Sequence, residues 1–369
     1  MRFPNILSLL VFLSIFLILG NTPNIERLNA YGEILSNSVD TIEVSGGTGT
    51  VAVNPTTNRI YLTNVFSNTV SVFDGSTNSI ETVFEVGDKP FGIGVNPQTN
   101  MIYVSREHND TLVVVNGSTN AIVENIDIGA PYDIAVNPKS NMIYVTSNKG
   151  NSLSVIDGST NDIVTTFDIS VPCGVAVNPE TNMVYVTSEA TDKVHAINAT
   201  TNKLVTVIDV QNSPLGVAVN PKTNMIYVTN QDSDTLSVID GISNSLLDTI
   251  QVGDTPRRVV VNSETNTLYV TNQDSDTVSV INGSRNTVIN TVAVDEPFEM
   301  AVNPSTGKVY VTYYNTGQLS VITGSPLDEK QLPSLFLIII GISAVAGVIS
   351  VIGVLLLRKQ KIRKQNKVN

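Results

Sequence analysis

The sequence is short of the residues that staple, ligate or catalyse. Its one cysteine, Cys173, permits neither an intrachain disulfide nor a paired-cysteine metal site. A small loop or core role is expected for it. The two histidines, His108 in the stretch REHND and His195 in KVHAIN, belong to different segments, and both are expected to be exposed polar residues. Neither an HExxH nor a nucleophile-elbow sequence occurs. Tryptophan is absent and charged residues make up only 15%. Between the two chain ends no apolar pattern repeats every 3.6 residues, which excludes solenoids built from helical pairs.

Charge is scarce and unevenly placed. The formal net charge is −12. Residues 1–20 carry only Arg2, while residues 335–369 carry six bases and no acid. That leaves 14 of the 21 bases against all 33 acids in between, a surface that repels nucleic acid and anionic head groups. Asp232, Asp234, Asp274 and Asp276 recur in the string TNQDSDT. The string lacks the glycine and terminal glutamate of an EF-hand loop and reads as solvated acidic loop. No metal or other cofactor is expected.

Both ends are apolar. Residues 1–20 combine Arg2 with an apolar run from Ile6 to Leu19, the length of a secretory signal. Residues 335–357 form an uncharged run long enough for a transmembrane helix, and the basic tail 358–369 follows at once. The positive-inside rule makes that tail cytoplasmic and the preceding chain extracellular, on a short stalk at 326–334.

The middle repeats. Asn54, Asn96, Asn137, Asn178, Asn220, Asn262 and Asn303 each end a short apolar run, and all but Asn262 precede proline. Their spacings are 42, 41, 41, 42, 42 and 41. Each unit parses into four strands, as in GVAV, MIYVT, TLSVI and SLLDTIQV of the fifth. Four strands in a unit of this length is the propeller blade. The last unit lacks a fourth strand, and NSVDTIEV (37–44) matches NSLLDTIQV with one residue fewer. The expectation is an all-β, seven-bladed β-propeller over 37–325, with the N-terminal strand completing the last blade and removing the open edges.

The strings IYVTN (226–230), MIYVT (142–146), LYVTN (268–272) and VAVNP resemble the YVTN-repeat propellers found in archaeal surface-layer-type and bacterial exported proteins. The resemblance covers about 37–325. It implies the fold and suits a cell-surface protein, but related propellers do different jobs.

Function is sought where the repeats differ. The turns NPxTN and DGSTN recur with little change and read as turn chemistry. The loops between second and third strands, and those between blades, vary and share one face around the channel mouth. That face is the expected binding surface, with Phe91, Tyr132, Arg257, Arg258, Phe298 and Tyr313 as its candidates. Sequons at Asn109, Asn116, Asn198 and Asn282 mark possible glycosylation. The expected function is a membrane-anchored recognition, adhesion or envelope-scaffold module with an envelope or extracellular ligand. The alternative is a lyase or lactonase working at the mouth.

Overall fold

Runs rich in Val, Ile, Tyr and Thr, bounded by Asn-, Asp- and Gly-containing turns, fold as short antiparallel strands. In the computed structural model, which describes residues 38–44, 46–313 and 316–324, they make seven four-stranded sheets. Blade five shows the plan: inner strand Pro214–Asn220, second strand Met225–Asn230, third strand Thr235–Asp240 and outer strand Ser245–Gln251. The chain is a seven-bladed β-propeller. The predicted transmembrane helix at 335–357, the signal and the basic tail lie outside the described residues. Among the described residues no helix is long and apolar enough to cross a membrane.

The ring closes as the repeat count requires. The N-terminal strand Ser38–Glu43 pairs antiparallel with Gln318–Thr323, placing Ile42 opposite Leu319 and Val39 opposite Ile322. The other six outer strands carry a bulge, such as Leu247 between the pairs Val238–Asp248 and Ile239–Leu246. The closing strand has none, which accounts for its missing residue. Ser38 pairs with Thr323 at the end of a third strand, so both ends of the propeller lie on the face that carries the tight turns. The candidate mouth is on the opposite face.

Second and third strands are not amphipathic, although alternation is the pattern that the sequence suggests for them. Ile226–Asn230 is buried at every position because each blade packs between two others. Seven apolar clusters fill the seven joints; the closing one joins Val44, Val51, Ile60 and Leu62 to Tyr310, Leu319 and Val321. Burying each such side chain contributes about 1.5–3 kcal/mol.

Polar groups lock the same joints. The Asn of each NP anchor donates through Nδ2 to the turn Asn of the next blade in six joints, at 2.6–2.8 Å. At the joint of blades six and seven Gly307 takes the acceptor's place, with φ of 72°. The anchor motif, which sequence reasoning assigns to turn chemistry alone, is thus also glue between blades.

The connectors between blades are less variable in structure than in sequence. Before each proline of six connectors stands a left-handed residue: Lys89, Ala130, Val171, Ser213, Thr255 and Glu296, with φ between 41° and 54°. Its N–H is held by the side-chain oxygen of Asn68, Asp110, Asn151, Asp192, Asp234 or Asp276. Asp234 and Asp276 of the acidic strings are thereby given a structural task. A β-branched residue is costly in this conformation, by about 1–2 kcal/mol, and glycine returns part of that as chain entropy. Val171→Gly is therefore expected to raise stability by about 0.5–1 kcal/mol, read from a denaturant midpoint.

Candidate functional site

The hydroxyl of each "YVT" motif sets the mouth. Thr63, Ser105, Thr146, Thr187, Thr229, Thr271 and Thr312 each donate to a carbonyl of the next blade, at 2.7–3.2 Å. Those carbonyls belong to Phe91, Tyr132, Cys173, Leu215, Arg257, Phe298 and, at closure, Gly49. The same seven hydroxyl oxygens accept the N–H of Thr50, Gly92, Asp133, Gly174, Gly216, Arg258 and Glu299. Two stacked rings of seven positions result, five and four residues before each anchor Asn. Glycine at 174 and 216 is dictated by packing, since an added Cβ would lie 2.5 Å from the next blade's carbonyl.

The outer ring is aromatic and cationic. Phe91 stacks on Tyr132 at 5.1 Å between centroids and meets Phe298 edge-on at 6.1 Å. Phe298 comes from blade seven and reaches Phe91 of blade two because Gly49 leaves blade one without a side chain at that level. The Arg257 guanidinium lies 4.2 Å from the Phe298 ring centroid. Phe91, Tyr132 and Arg257 are half-buried, and Phe298 is buried. Burial, with Glu299 second, pushes the Tyr132 hydroxyl pKa up.

Beneath them lies a charge cluster. Arg258 of blade six donates from Nη1 and Nη2 to both carboxylate oxygens of Asp133 of blade three, at 3.0 and 2.9 Å. Asp133 also accepts the Val175 N–H at 3.0 Å. Arg258 Nε stands 3.1 Å from Glu299 Oε2, a Coulombic contact too misaligned to be a hydrogen bond. The side chains are 19%, 8% and 9% exposed for Arg258, Asp133 and Glu299. Burial disfavours the Arg258 cation, but Asp133 and Glu299 outweigh it and raise its pKa. Burial raises the Glu299 carboxyl pKa against the pull of Arg258.

That shift has a stability consequence. A carboxyl that holds its proton more firmly folded than unfolded contributes stability below the usual glutamate pKa and loses it as pH rises through the raised folded value. Glu299→Gln is expected to flatten stability against pH from about pH 4.5 upward. Parallel denaturation curves of wild type and variant at several pH values check this.

Five of the six sequence-predicted mouth residues therefore converge. Tyr313 does not: its ring belongs to the apolar cluster between blades six and seven, and its hydroxyl lies 2.5 Å from Ser320 Oγ. Asp133 and Glu299 are not singled out by the loop pattern, and their signal in the sequence is an acid at the position four residues before an anchor Asn. Cys173 is buried, as expected, and burial followed by Glu189 raises its thiol pKa. His108 is exposed, but His195 is half-buried on a third strand, where burial lowers its pKa. Neither histidine reaches the inner rings. Asn116, Asn198 and Asn282 hold equivalent turn positions, each accepting N–H groups two and three residues on, and Asn109 is exposed. Among the described residues no group of three His, Cys, Asp or Glu side chains could hold a metal ion.

The geometry defines a seven-bladed propeller whose mouth is lined by aromatic rings and an ion cluster. Residues 175–298, less than half of the 369-residue chain, match the model of a family described as lactonase, 7-bladed beta-propeller. That stretch includes Arg257, Arg258 and Phe298 but ends before Glu299. None of the curated proteins compared with the chain matches it.

Proposed function

We propose that the chain is a cell-surface propeller, anchored through 335–357, that serves as a non-enzymatic recognition, adhesion or envelope-scaffold module and binds through its mouth. The observation that carries this reading is the convergence of half-buried Phe91, Tyr132 and Arg257 on the face opposite both propeller ends. Asp133 is held by three donors, an arrangement suited to a rigid floor rather than to proton transfer. Glycans on the sequons belong to the same proposal.

The test is capture of envelope components by the full-length chain in detergent. Tyr132→Ala combined with Arg257→Ala should abolish capture, and Ile242→Asn, at an 85% exposed residue of a turn, should not. Undiminished capture by the double variant would overturn the reading. The family match favours a second one, a lactonase working at the mouth; buried Glu299, outside the matched stretch, is the candidate proton donor. That reading requires lactone hydrolysis by the wild type and its loss in Glu299→Gln.

A further inference from the structure

Arg257 is a cation with no carboxylate in direct contact, although the Glu299 charge acts on it at longer range. In a chain with 33 acids and 21 bases, Arg59, Lys139, Lys149, Lys193 and Lys222 each contact a carboxylate. Arg258, one residue on, engages both Asp133 and Glu299. Among the described residues Arg257 has no ion pair, and its Nε is buried with no hydrogen-bond partner. Its contact is the face of Phe298. Holding a partly desolvated guanidinium with no carboxylate in contact and its Nε unbonded costs stability, so the position is explained best by a charge that arrives with a ligand.

Resting on the reading of the mouth as the binding face, we propose that Arg257 receives a single carboxylate carried on an aromatic or bulky apolar group. A guanidinium stacked on a ring keeps its in-plane N–H donors for a two-pronged acceptor, and carboxylate fits that fork. Phosphates and other multiply charged anions would be repelled by Asp133 and Glu299 below and by Asp254, Asp295 and Glu296 in the adjoining connectors. Phe91 and Tyr132, with Leu215 at the ring position next to Arg257, supply the apolar wall for the rest of the ligand. This chemistry has two sources, a free aromatic acid or the C-terminal residue of a peptide.

The probes are N-acetylphenylalanine, its amide, and a short peptide ending in Phe with a free or amidated C-terminus, titrated calorimetrically into the full-length chain in detergent. The acid forms should bind about tenfold or more tightly than the amides. Arg257→Gln should remove that preference, and Arg257→Lys should retain part of it. Binding of the free-ended peptide well above the small acid identifies a peptide terminus; equal binding identifies the small acid. Equal affinity for acid and amide, undiminished acid binding by Arg257→Gln, or no binding of any probe at millimolar concentration would overturn the proposal. If Tyr132→Ala weakens both forms while Arg257→Gln weakens neither, the mouth stands as a binding face and only the carboxylate is refuted. If neither substitution matters, the mouth reading falls with it.

Discussion

Arg258→Ala should cost the full-length chain about 3–5 kcal/mol of folding stability, seen as a lower denaturant midpoint. The variant leaves Asp133 charged, buried and facing an emptied centre. Its Val175 N–H bond cannot compensate for the loss of two charged donors. Glu299 can escape by keeping its proton, which burial already favours. Removing both charges should therefore recover most of the loss: Arg258→Met with Asp133→Asn retains an acceptor for Val175 and leaves no unpaired ion. A loss below about 1 kcal/mol for Arg258→Ala would mean that the pair is solvated and the mouth open.

Removal of residues 37–44 should be equally severe. The closing strand buries Val44 and partly buries Ile42 against Leu319 and Val321, and supplies six register pairs to the third strand of blade seven. Lost burial at about 1.5–3 kcal/mol per side chain and lost ladder bonds at about 1 kcal/mol each approach the whole stability margin of a domain. The deletion also exposes Gln318–Thr323 as an open edge, a template for pairing between chains. The expected result is loss of soluble monomer and of a cooperative thermal transition by circular dichroism.

Much of this fold was legible because the repeat is written in backbone chemistry. Asn58, Asn100, Asn141 and their equivalents sit where φ is positive, and Asn tolerates that conformation. The missing bulge of the closing strand showed as a missing residue in NSVDTIEV. Contacts between blades were not legible. The Nδ2 of Asn54 meets Asn100 only once the repeats curl into a ring, and the Thr63 hydroxyl finds the Phe91 carbonyl the same way. The site was half legible for a related reason. Arg257 and Phe298 stand out as large residues in connectors, whereas Asp133 and Glu299 pass for ordinary acids until Arg258 reaches them from blade six. Tyr313 was misplaced because a tyrosine after the YVT motif can turn inward between blades as readily as toward the mouth.

The ring brings blades three, six and seven together at the mouth, so its closure is the claim on which the rest depends. Thr41 and Ser320, 279 residues apart, pair across the closing strands with their hydroxyl oxygens 3.5 Å apart. With Thr41→Cys and Ser320→Cys in a Cys173→Ser background, mild oxidation of the full-length chain should give nearly complete intramolecular cross-linking, seen as a faster-migrating monomer without reductant. Thiols that stay free, or that link only between molecules, would contradict the closed seven-bladed ring.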